Sequence, residues 1–187
     1  MKRILAIISC ILILTVLACS HGETKKERLK NAIIQFNNDQ RSINSTLYYP
    51  ESYTEIKTDS IVGHTFKVSI KNYATSDHGI LLNQSVINDK KTTEYHRLFA
   101  SDVIVAVSDH IIFEKHISAK GFGEFTKSTF WTNATLEHVW VNQNMSNNSQ
   151  LSLGVSFINP KDDTFKLYEL LIDTNGNEQI ILIQDHS

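Results

Sequence analysis

From position 64 onward, stretches with strand character recur about every ten residues, separated by polar turns. A chain with that rhythm buries one face of each strand. It is predicted to be mainly β: an antiparallel β-sandwich or a partly closed barrel, with a short N-terminal helix. Residues 64–73 show the alternation most plainly, since Phe66, Val68 and Ile70 interleave with Lys67, Ser69 and Lys71. Further strands are expected over 80–87 and 92–99, joined through Asn88-Asp89-Lys90-Lys91. Residues 102–117 read as a hairpin whose first arm, Val103 to Val107, is apolar on both faces and therefore central. Asp tolerates the backbone angles of tight turns, so Asp109-His110 is expected at the turn, setting His116 opposite Val103. Strands follow over 124–131, 136–142 and 151–158, with the polar run 142–150 as a long hairpin loop.

Residues 165–173 fit two periods. Phe165, Tyr168 and Ile172 suit a helix, whereas Phe165, Leu167 and Leu171 suit a strand. The turn signal Thr174-Asn175-Gly176-Asn177 and the aliphatic run Ile180 to Ile183 beyond it favour the strand. Near the other end, Thr24 and Glu27 form a capping box ahead of Leu29, Ile33 and Phe36 on one helical face. A helix is expected over 24–38. Its stripe is expected to pack on the domain rather than on a membrane, because its polar face is not strongly basic.

The chain begins with Lys2 and Arg3, followed by an uncharged run from Ile4 to Ala18 and then Cys19. Fifteen residues fall short of the roughly 20 needed to span a bilayer, and they fit the apolar region of a signal peptide. The segment resembles a bacterial lipoprotein signal, cut between Ala18 and Cys19, with Cys19 as the lipidated residue. Leu17 is bulkier than such signals usually carry. The expected organisation is a signal over 1–18, a lipid-proximal tether over 19–24 and a single mainly β domain over 25–187. Cys10 leaves with the signal, so Cys19 is the only remaining thiol and no intramolecular disulfide is possible. Acylation of Cys19 also excludes thiol catalysis. Lys2 and Arg3 leave too, so 16 basic side chains face 20 acidic ones, a net charge of −4. That balance gives no footprint for nucleic acid and no polybasic patch for anionic lipid.

Motifs that carry chemistry are sparse. The eight histidines form no close-spaced ligand pair; His64, His78, His96 and His138 fall in separate elements, and His110 and His116 lie apart along the ribbon. Asp173, Asn175 and Asn177 resemble the start of a calcium loop, but Glu178 stands where glycine is needed and Gln184 where the closing Glu belongs. No metal or other cofactor is therefore expected. No nucleophile elbow, phosphate loop or zinc-protease motif occurs. Glu114, Glu124, Glu137 and Glu169 could supply a catalytic carboxylate pair that the sequence cannot place. Trp131, Trp140, Tyr95 and Phe130 are candidates for a stacking platform, against the plainer reading of core and cross-strand aromatics, and His138 reads as a sheet-surface partner of Trp140.

The lipoprotein start, the Ser108-Asp109-His110 hairpin followed by Phe113-Glu114-Lys115, and the late Asn159-Pro160-Lys161-Asp162-Asp163 turn make the chain similar to uncharacterised lipoproteins of Bacteroidota. That resemblance covers most of the chain. It implies anchoring in the cell envelope and carries over no catalytic residue. One acid, Glu23, ahead of Lys25 and Lys26 favours the periplasmic face of the outer membrane over the cell surface. Asp59-Ser60-Ile61 looks like the O-glycosylation signal of such exported proteins, with Ser60 in an exposed connection before a strand. The expected function is a non-enzymatic envelope lipoprotein that binds a partner protein or small ligand, or serves as a structural subunit. The alternative is an envelope enzyme acting on glycan or lipid.

Overall fold

The computed structural model describes residues 24–41, 44–77, 79–87, 90–122 and 128–187, without the side chains of 37–41. Ala18, Cys19, His78, Glu124 and the Asn88-Asp89 connection lie outside the described residues. The chain divides into two compact units, one carrying the N-terminal helix and the other carrying the sheets over 44–86 and 91–187. No helix among the described residues is long and apolar enough to cross a membrane.

Helix α1 (Lys25–Arg41) starts where the capping box placed it. The Thr24 amide donates to Glu27 Oε2 at 2.9 Å, and the Glu27 amide donates to Thr24 Oγ1 at 3.3 Å. The amide and hydroxyl of Thr24 both donate to the ionised carboxylate and hold Glu27 below its ordinary range. Leu29, Ile33 and Phe36 lie along one face of this helix.

The β unit is a sandwich, not a closed barrel. Its strands are β1 (Ser45–Tyr49), β2 (Glu55–Val62), β3 (Phe66–Ala74), β4 (Ile80–Ile87), β5 (Lys90–His96), β6 (Phe99–Val107) and β7 (His110–Ser118). The short helices α2 (Ala119–Phe122) and α3 (Thr129–Thr132) follow, then β8 (Thr135–Val141), β9 (Gln150–Asn159), β10 (Thr164–Asp173) and β11 (Glu178–His186). One sheet has the order β2-β3-β6-β7, another β11-β10-β9-β8, and a smaller one β1-β5-β4. The two four-stranded sheets share one core. Phe66, Ile70, Val103 and Val105 from the first meet Leu136, Leu153, Phe157 and Ile172 from the second, all with at most 1 % exposure. Each such side chain contributes about 1.5–3 kcal/mol on burial.

Several expectations hold: the alternation in β3, the central place of β6, the strand rather than helix over β10, and the hairpin beyond it. Others need correction. The smaller sheet is not antiparallel throughout, because β1 runs parallel to β5. Strands β1 and β2 add to those expected, since Lys57-Thr58-Asp59-Ser60 looks like a polar connection; it is an edge strand with one partner, where charged side chains are favoured. Of the strand expected over 124–131, residues 124–127 lie outside the described residues and 129–131 belong to helix α3, whose turn folds both aromatics inward. Ser128 Oγ caps it by accepting from the Phe130 amide at 3.3 Å, and Phe130 and Trp131 are buried.

The β6–β7 turn is Ser108-Asp109, one residue earlier than expected. Both residues have positive φ, +47° and +63°, as a two-residue hairpin turn of this hand requires. A bulge near Ile112 then shifts the register, so that Val103 faces Lys115 and His116 faces Asp102.

Candidate binding face

The parallel register of β1 and β5 sets Tyr48 beside Tyr95 and Tyr49 beside His96. The Tyr48 and Tyr95 rings stack with centroids 5.7 Å apart and planes 25° apart. Tyr49 and His96 lie 5.8 Å apart, and His96 and Phe99 6.1 Å apart. Aromatic pairs at such distances in offset or tilted poses attract beyond their buried area.

Arg97 fixes this arrangement. Its guanidinium carbon sits 4.7 Å from the centroid of the Tyr48 ring. Nε donates to the Pro50 carbonyl at 2.9 Å and Nη2 to the Glu51 carbonyl at 3.0 Å. The Arg97 amide donates to the Tyr49 carbonyl at 2.8 Å. A planar fork held by two carbonyls loses little entropy on stacking, so the Tyr48 ring is preorganised. Ser45 Oγ donates to Thr92 Oγ1 at 3.2 Å at the far end of the pair.

Two surface clefts of about 590 Å³ each open beside these rings. One is lined by Tyr48, Tyr49, Tyr95, Leu82, Glu51 and Glu94 with Thr46 and Leu47. The other shares Tyr48, Tyr49 and Glu51 and adds Pro50, His96, Phe99, Glu137 and the ends of β8 and β9. Tyr49 is 68 % exposed and Leu47 52 %.

The residues singled out for chemistry are dispersed. Glu137 Oε2 accepts from Ser156 Oγ at 2.5 Å and Glu169 Oε1 from Ser152 Oγ at 2.6 Å, each a separate clasp on β9. Glu114 faces Ile104 on β6. No group of three His, Cys, Asp or Glu among the described residues could hold a metal ion. In the loop likened to a calcium site, Asp173 accepts from the Asn175 amide at 2.8 Å, the Asn177 amide at 2.9 Å and Asn177 Nδ2 at 2.8 Å. Those bonds hold its carboxyl below the ordinary range and spend it on the turn. Of the four candidate platform aromatics, Phe130 and Trp131 belong to the core. Trp140 stacks on His138 at 6.0 Å and 14°, a sheet-surface pair, and only Tyr95 joins the exposed face.

The register shift creates one polar cluster that sequence reasoning missed. His116 Nδ1 lies 2.8 Å from Asp102 Oδ1, and Tyr73 Oη 3.4 Å from the same oxygen. Burial and the Asp102 charge push the Tyr73 hydroxyl up. A cleft of about 640 Å³ reaches His116 and is lined by Asp77, Lys120 and Lys161 as well. Ser60 is inside β2, half-buried and opposite Val68, on the face that turns to the core. The exposed connection expected around it is absent.

No protein-family model matches the chain, and no curated protein matches it in sequence.

Proposed function

We propose that the chain is a lipid-anchored envelope protein, tethered through Cys19 at the outer membrane and facing the periplasm. Its β domain binds a partner protein or small envelope ligand without transforming it. One observation carries this reading: outside the sandwich core stands a preorganised aromatic face built on exposed Tyr49 and half-buried Tyr48 and Tyr95. A rigid aromatic patch supplies contact area at low entropic cost, as binding surfaces do.

The test is affinity capture of the lipidated protein from its own membranes, run beside Tyr48→Ala/Tyr95→Ala. The reading expects a bound component recovered with the wild type and lost with the double variant. Recovery unchanged by the double variant would put binding elsewhere. Cys19→Ala run alongside should move the protein into the soluble fraction, since stable anchoring takes more than one acyl chain on that residue.

A further inference from the structure

We infer that the Tyr48–Tyr95 cleft receives a cation: a lysine or arginine side chain presented by an extended segment of a partner protein. The inference rests on the reading of this face as the binding face, and adds the chemistry of what it binds.

Charge is the first ground. Six carboxylates of the β unit pair with a basic side chain: Glu55 with Lys71, Asp59 with Lys57, Asp102 with His116, Asp109 with Lys67, Glu178 with Lys115 and Asp185 with Lys166. Glu137, Asp162, Glu169 and Asp173 accept hydrogen bonds from neighbouring side chains instead. Glu51 and Glu94 hold no such partner among the described residues, and both line one cleft with three tyrosines. Among the described residues, no lysine, arginine or histidine lines that cleft. Two carboxylates without a side-chain ion pair beside π-faces disfavour an anion and favour a cation by the ring quadrupole as well as by charge.

The second ground is that one ring of the pair already takes a cation. Arg97 lies over Tyr48 at 4.7 Å, but its donors are committed to the Pro50 and Glu51 carbonyls. It therefore shapes the platform and offsets at most one of the two carboxylates, which leaves the cleft net negative. The third ground selects a protein segment over a free amine. Leu47 and Tyr49, both more than half exposed at the rim, give apolar contact to residues flanking an inserted cation, which a small amine lacks.

Calorimetric titration of the full chain in detergent tests this. The probe is a blocked pentapeptide with one lysine between leucines, set against analogues carrying norleucine or glutamate there, and against butylammonium. The lysine peptide should bind at least about tenfold more tightly than the norleucine analogue, with affinity falling as salt rises. Glu51→Gln/Glu94→Gln should remove that preference. Glu114→Gln/Asp163→Asn, which changes net charge equally at two other unengaged carboxylates, should retain it. Equal binding of the norleucine peptide, no binding of the lysine peptide, or an equal loss in the control variant overturns the inference. Butylammonium binding as tightly as the peptide contradicts a protein segment as the occupant. A membrane component lost with Tyr48→Ala/Tyr95→Ala but indifferent to Glu51→Gln/Glu94→Gln would leave the binding face standing and remove the cation.

Discussion

Asn72, buried on β3, holds both backbone groups of Val139 on β8 in the opposite sheet. Its Nδ2 donates to the Val139 carbonyl at 3.1 Å, and its Oδ1 accepts from the Val139 amide at 3.0 Å. The amide side chain stands in for a neighbouring strand on the outer edge of β8, which has β9 as its only partner in the sheet. Asn72→Ala would orphan a buried donor and a buried acceptor, each costing about 1–3 kcal/mol. Asn72→Asp keeps only an acceptor and sets it against the carbonyl. Both variants should unfold at lower denaturant than the wild type, with the aspartate variant the worse of the two. Midpoints equal to wild type would show that the clasp adds nothing.

Strand β6 lies between β3 and β7, and Val105 on it has no exposed surface. Val105→Asp places an unpaired charge among apolar neighbours, a change that costs several kcal/mol. Chemical denaturation followed by circular dichroism should show loss of the cooperative transition or a large drop in its midpoint.

Lys166 is nearly buried, with Nζ 5.3 Å from the centroid of the Phe130 ring and bonded to Asp185. That bond, with a further one from Ser187, holds the Asp185 carboxyl down to about 2 from an ordinary 3.8. Because the folded value is depressed, the stabilisation is complete above the ordinary value and is lost as pH falls from about 4 toward 2. Thermal melts across that window should decline less in Asp185→Asn than in the wild type. The two single variants should also differ. Asp185→Asn strands a buried ammonium, yet costs less than the about 3–5 kcal/mol of a fully buried pair, since Asp185 is 40 % exposed. Lys166→Met leaves only a carboxylate that water can reach, and should cost less than Asp185→Asn.

Gly154 lies beneath the indole of Trp140: a Cβ there would sit 2.3 Å from Cε2 and Cζ2. Gly154→Ala should push the ring off the sheet and unstack it from His138. Trp131 is buried, so the change should appear as a red shift in the exposed component of tryptophan emission, with a stability loss of about 1–3 kcal/mol. Unaltered emission would mean that the backbone, not the indole, gives way.

Strand β3 is legible because its wetter face leaves a period of two in the sequence, with Phe66, Val68 and Ile70 inward. In β9, buried on both faces, the alternation survives because Leu151, Leu153, Val155 and Phe157 interleave with small Ser152, Gly154 and Ser156. Edge strand β2 is not legible, since Thr58 and Ser60, on the face shared with Val68 and Ile70, are as polar as Lys57 and Asp59 on the other. The binding face is harder still. Tyr95 stands out alone, but Tyr48 and Tyr49 join it only through a parallel pairing across 47 residues, a contact with no local signature. The Asp102–His116 pair depends on one bulge, and a single-residue shift is enough to assign His116 the wrong neighbour.

The central claim, that Tyr48, Tyr49 and Tyr95 form the working face, is tested most directly by photo-crosslinking in living cells. A crosslinking residue at position 49 is compared with one at position 61, where Ile61 is equally exposed on the edge strand β2. The account predicts a discrete adduct from position 49 that is lost when Tyr48→Ala and Tyr95→Ala are added, and none from position 61. Adducts from 61 alone, or none from 49, would contradict it.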